Sequence, residues 1–301
     1  MASESTAAGR IATLAYDYGA QPKERADVCN LCGARSEDVI PVTRRDRYGY
    51  PASLVACARC GLGWLSPRMI ATAYVAFYAG VYRPLVSAFH GRRIDAATVQ
   101  AQQRDYAAEL ADFILPRIGR APRTIIDVGG STGVVGAALA ARLGACATIT
   151  DPAPEELAVA RGAGMETIAG LAEELDLRGR SWDLVLLCQT IDHLLDVRAT
   201  LAALRQITAP DGYAFVDILD INLMLAIEGN VERVVKVDHP YYLADATATA
   251  FFTLTGYTIL AERVSGDGHR GFLLAPSRPA EPDWRELRQR ASVFLARVGA
   301  H

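Results

Sequence analysis

The residues of this chain whose types and spacing suit chemistry fall into three groups. The first is a pair of Cys-x-x-Cys knuckles, Cys29 with Cys32 and Cys57 with Cys60. Each knuckle can aim two thiolates at one ion, and the two together complete a tetrahedral four-sulfur site for zinc. Four thiolates close the coordination sphere, so the metal is expected to staple a small module rather than to activate water. Redox work at Cys-x-x-Cys calls for a helix N-terminus that lowers a thiol pKa, and neither knuckle opens a predicted helix. The second group is the turn Gly129, Gly130, Ser131 and Gly133 behind the acidic Asp127, with Asp151 at the end of the next apolar run. Small residues let a ligand lie against bare backbone, and a carboxylate placed like Asp151 can accept both hydroxyls of a ribose. The third is Asp238-His239 within LysValAspHisProTyrTyrLeu at 236–243. An imidazole that titrates near neutrality suits a general base, and a neighbouring carboxylate can orient its ring.

The elements that must carry these groups read as alternating strands and helices. Strands are predicted at 124–128, 147–151, 165–169, 182–188, 213–218, 257–264 and 271–276, with helices between most of the first six. Val134 to Leu143 is one such helix, stopped by Gly144. That order implies α/β architecture: a Rossmann-like seven-stranded sheet, mostly parallel with helices on both faces, and an antiparallel pair at one edge. Ligands bind beyond the C-terminal ends of such strands, where Asp151 and Gln189 fall. Asp95 to Leu115 reads as a long amphipathic helix leading into the sheet, Pro116 to Pro122 as a linker, and Asp283 to Val298 as a closing amphipathic helix. The knuckles lie ahead of all this, separated by a stretch long enough for a β-hairpin through Asp46, Arg47, Tyr48, Gly49 and Tyr50. The expected division is a zinc-binding module and lid at 1–83, a linking helix at 84–122, the sheet domain at 123–278 and a terminal helix at 279–301. Cys146 and Cys188, in or beside strands, are expected to be buried.

With 301 residues and 51% apolar composition the chain can bury at least one full core. No apolar run approaches the roughly 18 residues of a membrane span, and the N-terminus MASESTAAGR lacks an apolar signal core, so a cytoplasmic location is expected. In that compartment disulfides between the knuckles are disfavoured. The formal net charge of −3, with both signs mixed along the chain, gives no electrostatic footprint for nucleic acid.

The spacing acidic residue, x, Gly, x, small, x, Gly at 127–133 resembles that of class I S-adenosylmethionine-dependent methyltransferases. A dinucleotide fingerprint fits less well, because Ser131 takes the middle glycine position and the third glycine, Gly133, comes one residue early. The resemblance continues through Glu156, Leu157, Ala160 and Arg161, through TrpAspLeuValLeuLeuCysGln at 182–189, and through AlaProAspGlyTyrAlaPheValAsp at 209–217. It covers about Ile118 to Ala275. It implies S-adenosylmethionine as cofactor, held by Asp127, Gly129, Gly130, Ser131, Gly133 and Asp151. Leu171 and Ala172 are then expected to flank the adenine, with Gln189 facing the methionine part.

The knuckles followed by GlyLeuGlyTrpLeuSerProArg and by PheTyrAlaGlyValTyrArg at 77–83 resemble the zinc-binding module found ahead of methyltransferase domains in deoxysugar and surface-polysaccharide biosynthesis, the sugar C-methyltransferases among them. By that resemblance Tyr78 and Tyr82 are lid residues over the cofactor. Sugar C-methyltransferases show Glu-His followed by Tyr-Phe-Ser where this chain has Asp238, His239, Tyr242, Leu243 and Ala244; the tyrosine ahead of Glu-His corresponds to Lys236, a departure. His239 is therefore the expected base, helped by Asp238, while Asp192 and His193 are expected to be structural. Those relatives also continue into a further C-terminal domain, whereas this sequence stops after the terminal helix. Methylation of a hydroxyl on a sugar, glycan or small natural-product precursor is accordingly expected over C-methylation of a nucleotide-linked ketosugar. A zinc-ribbon rRNA base methyltransferase is a rival reading, but acidic Glu37, Asp38 and Asp46 dilute the basic Arg44, Arg45 and Arg47 around the knuckles. A non-catalytic donor-binding module is another, and a base beside an intact donor turn argues against it. The expected partner is thus a small-molecule or glycan acceptor, with no nucleic acid and no membrane; the oligomeric state is not readable.

Overall fold

A computed structural model describes residues 6–173, 177 and 179–299. Its main sheet consists of β1 (Thr124–Val128), β2 (Cys146–Asp151), β3 (Glu166–Ala169), β4 (Trp182–Leu187), β5 (Thr208–Leu219), β6 (Tyr257–Val264) and β7 (His269–Pro276). The spatial order is β6-β7-β5-β4-β1-β2-β3. Pairs β1–β2, β2–β3, β1–β4 and β4–β5 are parallel, while β7 runs antiparallel to both β5 and β6. This is the expected architecture, with the reversed strand near one edge.

Strand alternation sorts the core onto two faces. Ile125, Leu184, Leu186, Phe215 and Leu273 point to one side, against the helices Ala96–Ile114 and Val134–Leu143. Ile126, Val185, Leu187, Val216 and Phe272 point to the other, where helices Val197–Ile207 and Asp245–Thr255 cover them. The long helix starts where Asp95 accepts from the Thr98 amide at 3.0 Å, and Val134–Leu143 ends on Gly144 at φ +65°. Leu110, Ala111 and Ile114 give the long helix its buried stripe.

Two local features differ from the sequence reading. β5 begins at Thr208 rather than at 213, because the ProAspGly segment forms an irregularity between the Thr208 and Tyr213 pairings instead of a turn that starts the strand. Cys146 is exposed, not buried: it is the first residue of β2, at the open N-terminal end of the strand, before the alternating pattern reaches the core. Cys188 is partly buried.

The N-terminal region builds a smaller antiparallel sheet from Val39–Thr43, Leu54–Cys57 and Gly63–Leu65. Its fourth strand is Tyr241–Tyr242, contributed by the long connection between β5 and β6. The segment carrying His239 is thereby anchored on the cysteine module. The knuckles themselves pack in one apolar cluster with Leu194, Val197 and Leu201 of the main domain.

Candidate active site

The two knuckles fold alike because their sequences are alike. In each, the glycine after the second cysteine adopts positive φ (Gly33 +71°, Gly61 +80°), and its amide donates to the carbonyl of the first cysteine, at 2.9 Å and 2.8 Å. This curls Cys29-x-x-Cys32 and Cys57-x-x-Cys60 so that all four sulfurs face one point, within 4.8 Å of one another. Cys29 Sγ lies 3.5 Å from Cys60 Sγ and Cys32 Sγ 3.6 Å from Cys57 Sγ. Those separations are too long for disulfides and close to the edge, about 3.8 Å, of a tetrahedron with metal–sulfur bonds of about 2.3 Å. The donor set therefore fits a closed zinc site. Asn30 fastens the first knuckle to the main domain, donating to Asp196 at 2.8 Å and accepting from the Arg198 amide at 3.0 Å.

In the main sheet, Asp127, Asp151 and Asp217 stand at or near the C-terminal ends of β1, β2 and β5. Asp127 lies beneath the glycine turn, where Oδ2 accepts from the Gly136 amide at 3.0 Å and Oδ1 is buried without a partner among the described residues. Burial pushes its carboxyl up to about 7. Asp151 accepts from Ser131 N at 3.0 Å and Ala153 N at 2.8 Å, and burial raises its pKa. The glycines have a more local role than exposing backbone: a β-carbon on Gly129 would come within 2.6 Å of the Thr190 side chain, and one on Gly133 within 2.7 Å of Met165. Both residues also hold positive φ, as does Ser131 at +53°. Leu171 and Ala172 follow β3, partly buried, and Gln189 is exposed just past β4. Gln189 is held at φ +50° because its amide donates to Asp217 at 2.5 Å, while Tyr106 donates to the other oxygen of Asp217 at 2.8 Å.

The helices Ala71–Gly80 and Tyr82–His90 bridge the glycine turn and the His239 segment. Arg83 reaches the turn through a 2.6 Å ion pair with Glu156, whose other oxygen accepts from Ser131 Oγ at 2.9 Å. Tyr78 turns the other way: its hydroxyl is 2.8 Å from His193 Nδ1 and 3.0 Å from the Asp238 carbonyl. The rings of Tyr78 and Tyr82 pack edge to face with centroids 5.5 Å apart.

His193 in turn packs against His239, ring centroids 4.6 Å apart, and its Nδ1 is 2.8 Å from the Asp238 carbonyl. His239 Nε2 is 3.5 Å from Asp238 Oδ2. His193, Asp238 and His239 bring ligand-type atoms within 4.8 Å of one another, but His193 Nδ1 is already engaged with Tyr78 and the carbonyl, which favours proton handling over metal binding. Burial, followed by the charge of Lys236 and the presence of His193, holds His239 well below the usual imidazole range. The sequence reading placed it near operating pH; desolvation makes it a neutral imidazole across neutral and mildly acidic pH. His193, also lowered by burial, is neutral too. Asp192 accepts from the Leu219 amide at 2.9 Å.

The sequence reading assigned no role to Arg83, Tyr106 or Asp217. Asp217 carried a usable signal, an acid at a strand end like Asp127 and Asp151. Tyr106 and Arg83 lie on helices far from it in sequence and carried none.

Residues 99–263 match the family model described as a methyltransferase domain. The chain belongs to this methyltransferase family. It is similar to C-methyltransferase NovU of Streptomyces niveus, 26% identical over 82% of this chain and 56% of that protein. It is also similar to the ubiquinone biosynthesis O-methyltransferase of Xylella fastidiosa, 31% identical over 42% of this chain and 54% of that one. The chain thus spans about half the length of the curated relatives it matches. Among solved structures, the fold resembles magnesium protoporphyrin IX methyltransferase of Synechocystis PCC 6803 with bound SAH, at TM-score 0.53 and 12% identity over 69% of this chain and all of that one. It also resembles the PH0226 protein of Pyrococcus horikoshii, at TM-score 0.50 and 16% identity over 58% of this chain and 91% of that one. No helix among its described residues is long and apolar enough to cross a membrane.

Proposed function

We propose that this methyltransferase methylates a hydroxyl of a sugar, glycan or small natural-product precursor, with His239 as general base. The observation that carries the reading is the buried cluster of Tyr78, His193, Asp238 and His239, in which a neutral imidazole sits beside a carboxylate. The donor, when bound, supplies an electrophilic methyl group on a sulfonium. Asp151, Ser131 and the Gly129–Gly133 turn bind it, Asp127 supports the turn from below, Leu171 and Ala172 flank its adenine, and Gln189 faces its methionine part. His239 takes the hydroxyl proton as the oxygen–methyl bond forms and the sulfur–methyl bond breaks, and Asp238 stabilises the resulting imidazolium. Tyr78 and Tyr82 close the site from the N-terminal side.

In the same reading the N-terminal region to residue 83 is a module stapled by one structural zinc on Cys29, Cys32, Cys57 and Cys60, residues 84–122 link it to the methyltransferase domain at 123–278, and the region from 279 onward carries the terminal helix, Trp284–Arg297. The pairing of Tyr241–Tyr242 with Gly63–Leu65 supports a module that shapes the acceptor side. The protein is expected to work in the cytoplasm.

Transfer to carbon is the second reading, favoured by the match to C-methyltransferase NovU over most of this chain. A donor carrying a trideuterated methyl group separates the two, since NMR of the product places the label on oxygen or on carbon. His239→Ala should leave donor binding intact and lower turnover about 10²- to 10⁴-fold, the contribution of a positioned base. Turnover in the parent should hold at pH 6 and fall only at more acidic pH, because His239 is held below the usual imidazole range. Near-parent turnover in His239→Ala would remove the base assignment.

A further inference from the structure

Asp217 is buried near the end of β5, and what it holds is an exposed residue. Its Oδ1 accepts from the Gln189 amide at 2.5 Å, a bond that keeps Gln189 in the left-handed region at φ +50°, where a residue with a β-carbon is strained. Its Oδ2 accepts from the Tyr106 hydroxyl at 2.8 Å. Both oxygens thus face donors, as in an ionised carboxylate. Strand register defines the neighbourhood. β4 lies between β1 and β5, with Leu186 opposite both Asp127 and Phe215, so Gln189 follows β4 between the glycine turn and Asp217. On the turn side Thr190 packs so closely that a β-carbon on Gly129 would come within 2.6 Å of it.

Among the described residues no cation forms an ion pair with this carboxylate, and the two candidates on neighbouring strands are engaged elsewhere. Arg263 of β6 lies opposite Gly271, which lies opposite Asp217. Its guanidinium pairs with Glu109 at 4.0 Å and lies over the rings of Tyr106 and Phe215, at 5.1 Å and 5.6 Å. His269 stands two residues before Gly271 on β7, and its Nδ1 is 3.0 Å from Asp267 Oδ1. Burial raises the pKa of Asp217, and the Gln189 bond is the largest influence that opposes it. A buried carboxylate without a counter-ion is unfavourable, and a cation bound beside it relieves that.

We propose that Asp217 selects the charge of the donor: its carboxylate, behind Gln189, favours the sulfonium of S-adenosylmethionine over the neutral thioether of S-adenosylhomocysteine. The proposal rests on the reading that Gln189 faces the methionine part of the donor. Transfer of the methyl group takes the positive charge off sulfur, so the attraction that retains the donor lapses with the product. Asp217 then acts in two ways, setting Gln189 by its hydrogen bond and setting the preference by its charge. Only the second tells a cation from a neutral ligand of nearly the same shape.

Calorimetry of the full chain with three ligands separates the two effects. The ligands are S-adenosylmethionine, S-adenosylhomocysteine and sinefungin, in which a carbon bearing a protonated amine replaces the methyl-bearing sulfur. Asp217→Asn keeps the shape of the side chain and an acceptor for the Gln189 amide but removes the charge. Affinity for the two cations should fall about fivefold to tenfold relative to the thioether, the scale of one partly screened charge pair. An equal loss for all three ligands would show that Asp217 only positions Gln189 and would overturn the proposal, as would three unchanged affinities. If Asp217→Asn does not fold, carbon-13 NMR of the parent labelled at its aspartate carboxyls takes its place. Asp217 should be ionised with S-adenosylmethionine bound, and a protonated carboxyl there would overturn the proposal. Failure of the donor-site reading looks different: Asp151→Ala would then bind all three ligands as tightly as the parent does.

Discussion

The hydroxyl of Tyr78 lies 2.8 Å from His193 Nδ1, which ties a helix of the cysteine module to the turn that follows β4. The same hydroxyl is 3.0 Å from the Asp238 carbonyl, so one phenol links three segments that are remote in sequence. Tyr78→Phe deletes that link and keeps the ring. We expect turnover to fall by roughly fivefold to tenfold, the scale of about 1 kcal/mol for one lost hydrogen bond, with donor affinity unchanged. If donor affinity falls while saturated turnover holds, Tyr78 covers the donor and the acceptor-side reading of it is wrong.

Asp151 is the residue on which donor binding should depend most. Asp151→Ala removes an acceptor for the Ser131 and Ala153 amides and, in the proposed reading, for the donor ribose. Donor affinity measured by calorimetry should drop by about 1 to 3 kcal/mol. Because burial raises the pKa of Asp151, affinity in the parent should begin to weaken at a higher pH than an ordinary carboxylate would allow. Unchanged affinity in the variant would count against the assignment.

The six cysteines should separate by chemistry. Freshly purified protein is expected to hold about one equivalent of zinc. A thiol reagent should reach exposed Cys146 first, while Cys29, Cys57 and Cys60 are buried and, with Cys32, are the proposed metal ligands. Removal of the metal by a chelator should expose four further thiols and lower the melting temperature, since the knuckles share a core with Leu194 and Val197. Rapid reaction of all four knuckle thiols without metal release would show that no closed site exists.

Much of this molecule was legible because its signals are local. The apolar runs, with the acids and small residues that follow them, marked seven strands and the turn after β1, since strand period and turn chemistry act over a few residues. The knuckles were legible for the same reason: each is one Cys-x-x-Cys-Gly curl. What stayed hidden depends on pairing between distant segments. Tyr241–Tyr242 is too short to show an alternating pattern, so its place on the Gly63–Leu65 edge has no sequence signature. Arg47 and Val235 meet only because that pairing folds the β5–β6 connection onto the N-terminal hairpin. Burial of His239, which sets its titration, follows from the same long-range contact. The exposed position of Cys146 shows the opposite limit, since strand membership alone does not say which end of the strand is covered.

Asp192 should leave a mark on stability that is independent of any acceptor. Its carboxyl is buried, Oδ2 accepts from the Leu219 amide at 2.9 Å, and Oδ1 has no partner among the described residues. Burial is the main cause that pushes its pKa up to about 8, with the Leu219 bond opposing and the charge of Asp217 adding to it. In the unfolded chain the same group titrates near 4. The folded protein therefore keeps a proton that the unfolded chain has lost over the interval between those values. The associated stability is fully present below about 4 and is lost as pH rises to about 8, at up to about 1 kcal/mol per pH unit. Asp192→Asn keeps an acceptor for the Leu219 amide and cannot ionise, so it lacks this loss. The melting temperature of the variant relative to the parent should thus climb from pH 5 to pH 9. Asp46 and Asp127, each pushed up to about 7, and His239, held low, titrate alike in both proteins and cancel in the difference. A difference that stays flat over that range would mean that Asp192 is hydrated and ionises normally, and that the wall beneath His193 is open to water.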